Sequence, residues 1–121
     1  MARLLVIDDD DQFREMLREM LIREGYQVET APEGETGIRL YRNAPFDLII
    51  TDIIMPEKEG VETIMELKRN FPEVKIIAVS GGGQIGPRDY LEMAKKLGAD
   101  RTFSKPLLRV ELLDAVKEVL E

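Results

Sequence analysis

Five short apolar runs alternate with five stretches of helical spacing along this chain, and that alternation constrains the fold more than any other feature. The runs are Arg3–Ile7, Gln27–Ala31, Asp47–Thr51, Lys75–Val79 and Arg101–Ser104. After the first run, Phe13, Met16, Leu17, Met20 and Leu21 recur at helical intervals and share one face. Ile38 with Leu40–Tyr41 marks a second helix, and Val61, Ile64, Met65 and Leu67 a third. Tyr90, Leu91, Ala94 and Leu97 mark a fourth, and Leu108, Leu112, Leu113, Val116, Val119 and Leu120 a fifth. Gly25 and Gly98 stand where the first and fourth helices should stop.

Strand then helix, five times over, predicts an α/β domain: a parallel sheet covered on both faces. Leu4–Ile7, Leu48–Ile50 and Ile76–Val79 are almost continuously apolar, as central parallel strands buried on both faces must be. Right-handed crossovers leave few topologies, and the doubly wound, flavodoxin-like order 2-1-3-4-5 is the expected one. At 121 residues and 44% hydrophobic content, residues 1–121 are expected to form one domain around a real core. Residues Gly81 to Pro87 read as a glycine-rich loop after the fourth strand.

Composition narrows the chemistry. With no Cys and no His, thiolate and imidazole sites are excluded, leaving carboxylates, hydroxyls and amines. A net charge of −7 argues against direct nucleic-acid binding, which needs clustered Lys and Arg. No apolar run reaches the roughly 18 residues of a membrane span, and the N-terminus has no signal-peptide pattern. The expected location is the cytoplasm.

Open α/β sheets bind ligands beyond the carboxyl ends of their strands. The first strand exits into Asp8-Asp9-Asp10-Asp11, the third into Thr51-Asp52, the fourth into Ser80 and the fifth into Ser104-Lys105-Pro106. Asp8, Asp9, Asp52 and Ser80 should therefore meet on one rim with Lys105 beside them. Carboxylates crowded together repel unless one is protonated or a cation intervenes. Mg²⁺ suits such a rim, because it takes oxygen ligands and uses one or two carboxylates together with a phosphate. Lysine and serine would then bond phosphoryl oxygens, as in sites where positioning and charge neutralisation do most of the catalysis. Singly, each feature has a plainer reading. Asp10 and Asp11 serve equally well as caps of the first helix, Asp52 as a turn residue before Pro56, Ser80 as loop chemistry, and Lys105 as a solvated lysine. Their convergence on one rim has none.

The same residues carry a resemblance. Leu4–Asp10, the segment from Asp47 to Pro56 followed by Gly60, Ala78–Gly81, and Gly98–Asp100 followed by Ser104-Lys105-Pro106 resemble the ordered motifs of bacterial response-regulator receiver domains. The resemblance runs from Arg3 to about Leu120 and implies a role for each position. Asp52 is the nucleophile that accepts phosphate from a histidine kinase or histidine phosphotransferase. Asp8 and Asp9 hold Mg²⁺ (or Mn²⁺), with Asp52 and the carbonyl of Ile54 as further ligands. Ser80 and the Gly81 N–H bond the phosphoryl group, Lys105 pairs with it, and Lys105-Pro106 is cis. Phosphorylation then alters a surface around the fourth helix, fifth strand and fifth helix that meets a downstream protein. The chain is expected to be a monomer or a weak phosphorylation-linked dimer. It would dephosphorylate itself without being a turnover enzyme on an external substrate.

Two departures stand out. Thr102 occupies the position where the family usually has a switch aromatic, and Phe103 should face the other side of the sheet. The Gly81–Pro87 loop is about three residues longer than usual for the family, and its ordering is expected to carry part of the signal. Rival readings explain less. A haloacid-dehalogenase-like phosphatase would use Asp8 in its first-strand motif, but Gln12 stands where that motif needs Thr or Val. A flavodoxin-like FMN protein needs a phosphate loop where this chain has four aspartates. A degenerate receiver that only docks leaves the filled site positions without a purpose.

Overall fold

The computed structural model describes residues 2–53, 60–80, 92 and 94–121. Five strands, β1 (Arg3–Ile7), β2 (Gln27–Ala31), β3 (Leu48–Asp52), β4 (Ile76–Ser80) and β5 (Arg101–Ser104), form one parallel sheet in the order β2-β1-β3-β4-β5. The helices described in full are α1 (Asp11–Arg23), α2 (Gly34–Asn43), α3 (Gly60–Asn70) and α4 (Arg109–Leu120). Of the predicted helical stretch Tyr90–Leu97, Glu92 and Ala94–Lys96 are helical, and the rest of its first turn lies outside the described residues. So does the Gly81–Pro87 loop.

The period of two in the strands sorts the core into two layers. Leu5, Ile7, Ile49, Ile76 and Ala78 pack with α2 and α3 through Ile38, Tyr41, Ile64 and Leu67. Leu4, Val6, Leu48, Ile50, Ile77 and Val79 pack with α1 and α4 through Leu17, Leu21, Leu112 and Val116. β1, β3 and β4 are therefore buried on both faces, whereas edge strand β2 alternates exposed and covered positions.

Two strands run one residue further than their apolar letters suggest. The apolar runs stop before Asp52 and Ser80, yet both residues stay in the ladder, Asp52 opposite Val79 and Ser80 opposite Ser104. The Ile53 N–H still donates to the Val79 carbonyl at 2.9 Å, and the Lys105 N–H to the Ser80 carbonyl at 2.8 Å. The backbone thus carries these polar side chains to the carboxyl edge on rigid strands rather than on loops. Gly25 and Gly98, at φ of 95° and 112°, end their helices as the sequence predicts.

Gly60 is constrained by proximity. Its N–H donates to the Ile53 carbonyl at 2.7 Å, and a β-carbon there would collide with the Asp52 carbonyl oxygen and Ile53 Cα. Only glycine lets α3 begin this close to the exit of β3.

Candidate functional site

The exit of β1 splits its four aspartates between two tasks. Asp10 caps α1, its carboxylate accepting from the N–H groups of Gln12 at 3.0 Å and Phe13 at 3.2 Å. Asp11 lies in the first turn and pairs with Arg14 at 2.6 Å. The capping reading therefore holds for these two. Asp8 is only 1% exposed, and its Oδ1 accepts from the Asp10 N–H at 2.8 Å. Asp9 is exposed beside it.

β3 delivers Asp52, 5% exposed, to the same place, and one carboxylate oxygen from each of Asp8, Asp9 and Asp52 lies within 4.8 Å of the other two. β5 delivers Lys105, whose peptide bond to Pro106 is cis. Its Nζ stands 3.1 Å from Asp8 Oδ2 and 3.4 Å from Asp52 Oδ2. Ser80, fully buried, ends β4 between the exits of β3 and β5. The four residues Asp8, Asp9, Asp52 and Lys105 are thus brought together, with Ser80 on the adjoining strand. Ile54 and Gly81 lie outside the described residues.

Charge explains the protonation tendencies. Burial raises the Asp8 pKa, the Asp10 N–H and Lys105 offset part of that rise, and neighbouring Asp9 adds to it. For Lys105, burial acts downward, but Asp52 and Asp8 outweigh it, so its pKa is raised and the ammonium is secured. Among the described residues, one ammonium faces three carboxylates, whose oxygens are the cation donors clustered there. Such a set suits a hard divalent cation better than a soft one.

Two further side chains reach this rim that the sequence does not mark as site residues. Phe13 sits on the apolar face of α1, as its spacing predicts, but its ring also lies under the Lys105 ammonium, 3.9 Å from centroid to Nζ. Arg14 donates from Nη1 to the Asp8 carbonyl at 2.7 Å, fastening the β1 exit to α1. The helical period signals one role for Phe13 and hides the other. Nothing in the sequence ties position 14 to the carbonyl of position 8.

Residues 4–117 match the response regulator receiver domain family. The chain belongs to that family. The receiver is 31% identical over 118 residues to the chemotaxis protein CheY of Halobacterium salinarum, covering 98% of this chain and 96% of that protein. It is 32% identical over 118 residues to the transcriptional regulatory protein RprY of Bacteroides fragilis, covering 98% of this chain but 49% of that longer protein. A receiver domain protein from Clostridium thermocellum superposes with a TM-score of 0.91 at 29% identity, over 99% of this chain and 94% of that one. The receiver is thus a module of two-component signalling, a class of phosphoacceptors rather than turnover enzymes on external substrates. Its acidic trio is the kind of pocket in which receiver domains bind Mg²⁺.

Of the two departures, the Gly81–Pro87 loop lies outside the described residues, and the other is visible in β5. Thr102 pairs in register with Ala78, on the α2–α3 side of the sheet, and Phe103 with Val79, packing against the α1–α4 layer. Phe103 thus faces away from the side where the usual aromatic would stand, as the period of two predicts. Among the described residues no helix is long and apolar enough to cross a membrane.

Proposed function

We propose that Asp52 is the phosphoacceptor of this receiver, taking its phosphoryl group from the phosphohistidine of a sensor histidine kinase or a histidine phosphotransferase. The meeting of Asp8, Asp9, Asp52 and Lys105 at three strand exits supports this reading. An Asp52 carboxylate oxygen attacks phosphorus as the bond to the imidazole nitrogen breaks, and the imidazole leaves with the electron pair. The product is an acyl phosphate on Asp52. Lys105, already beside that carboxylate, exchanges part of its ion pairing with the carboxylates for an ion pair with the new phosphoryl oxygens. Ser80 donates its hydroxyl to another of them, and the Gly81 N–H completes the cradle.

Asp9 and Asp8 would hold Mg²⁺ (or Mn²⁺), with Asp52 and the Ile54 carbonyl completing the protein ligands. Bound there, the cation supplies neutralisation of the charge shared by acceptor and phosphoryl group. Asp8 is kept aimed at the rim by the Asp10 N–H and by the hold of Arg14 on its carbonyl.

Residues 1–121 act as one receiver domain in the cytoplasm. The phosphoryl group adds charge to a balanced rim, shifts a conformational equilibrium, and changes the surface offered to a downstream protein. Neither nucleic acid nor membrane is a direct partner, and the chain works as a monomer or a weak phosphorylation-linked dimer. Self-dephosphorylation resets it. The test is intact mass after incubation with a small phosphodonor, with and without Mg²⁺, for wild type and Asp52→Asn. A Mg²⁺-dependent gain of one phosphoryl group, absent in the variant, is expected. A gain that survives the substitution would place the acceptor elsewhere, with Asp8 first in line, and no gain at all would leave a docking module.

A further inference from the structure

Lys105 is held from three sides, and one of them is not a carboxylate. Besides Asp8 and Asp52, its Nζ meets the face of Phe13 at 3.9 Å from the ring centroid. This third contact comes from the first turn of α1, which contributes none of the three clustered carboxylates. An ammonium over an aromatic face is attracted by the ring quadrupole, and more strongly as water is excluded. Water is partly excluded here, since the Lys105 side chain is 20% exposed and Phe13, half-buried, packs against the α1–α4 core layer.

The three contacts differ in what happens when the site is used. Asp8 and Asp52 must turn their oxygen lone pairs to a cation and to phosphorus, and each such step weakens their grip on the ammonium. The ring ligates neither a cation's coordination shell nor phosphorus, so these steps do not draw it away. We propose that Phe13 is a positioning residue for phosphoryl transfer: its ring face keeps the Lys105 ammonium at the rim while the carboxylates that held it turn to other partners. This rests on the assignment of Asp52 as the acceptor. A side chain that only filled core space would be replaceable by any apolar residue of similar volume. One that holds a cation is replaceable only by another aromatic.

The experiment compares Phe13→Leu, Phe13→Met and Phe13→Tyr with wild type in the full chain, using acetyl phosphate and Mg²⁺. Loss of the π face should slow phosphorylation of Asp52 about tenfold in the Leu and Met variants, with Tyr within about twofold of wild type. A second readout needs neither metal nor donor. The Lys105 ε-methylene protons should resonate upfield through the ring current of Phe13, keep that shift in Phe13→Tyr, and lose it in Phe13→Leu. An unshifted methylene in wild type overturns the inference whatever the variants do. So does a folded Leu or Met variant that loses the shift yet is phosphorylated at the wild-type rate. If wild type itself takes no phosphoryl group, the acceptor assignment fails and this role falls with it. Normal wild-type phosphorylation with an indifferent Leu variant removes this role alone.

Discussion

At the scale of single residues, the rim is a balance that Lys105 nearly closes. Asp8 and Asp52 have side chains only 2% and 6% exposed, and the Lys105 ammonium reaches both. Removing one partner of a buried charge cluster is costly because the charges left behind stay desolvated and lose its attraction. Lys105→Met should therefore destabilise the protein by about 2 kcal/mol, less than a fully buried pair would give because the lysine is partly exposed. Adding Asp52→Asn should recover at least half of that loss, which a double-mutant cycle in urea would measure. Simple additivity would mean that lysine and aspartate are not coupled. Most of this site could be read in the sequence, because acidic, hydroxyl and amine residues stand at successive strand exits. What could not be read is what a linear string does not encode: which carbonyl Arg14 reaches, and which face of Phe13 the ammonium visits.

At the scale of elements, α2 carries a cap that can be tested by pH. Its N-cap is Glu33, whose carboxylate accepts from the Thr36 N–H at 2.7 Å and also from the Thr36 hydroxyl. The Thr36 hydroxyl is the largest influence on Glu33 and outweighs partial burial, so its pKa is lowered below the usual 4.5. A lowered carboxylate pKa means that the unfolded chain binds the proton more tightly. The stabilisation is therefore fully present above the unfolded value and is lost as pH falls through the folded one. Glu33→Ala should cost about 1 kcal/mol at pH 7 and much less near pH 3, followed by thermal melting across that range. An equal cost at both pH values would show that the carboxylate charge plays no part. The helix itself was legible from Ile38 and Leu40–Tyr41 because helical periods are local, whereas its Glu33 cap was not picked out. The one-residue extension of β3 and β4 was not legible either, because ladder bonds to a neighbouring strand hold Asp52 and Ser80 in the sheet after the apolar letters have run out.

At the scale of the whole molecule, the acidic trio couples metal binding to stability. β1 and β3, which carry Asp8 and Asp52 at their ends, are the central strands on which both core layers pack. Relief of repulsion at their exits should therefore register in global unfolding rather than in a local loop. A ligand that binds only the folded state stabilises it by about 2.7 kcal/mol at 100 times its dissociation constant. For a domain of this size that corresponds to about 10 °C in Tm. Screening competes with this effect, since a chain with a net charge of −7 gains some stability from any salt. Asp9→Asn separates the two causes. Asp9 is exposed but repels buried Asp8, so its neutralisation should leave the metal-free protein at least as stable as wild type, while removing a ligand on which the Mg²⁺ effect depends. Wild type should show a saturating rise in Tm with Mg²⁺, reversed by a chelator and much larger than in KCl of equal ionic strength. Asp9→Asn should show only the KCl-like increment. Equal shifts in the two proteins would mean that Mg²⁺ acts as a screening salt, and the trio would then be an acidic surface rather than a cation site.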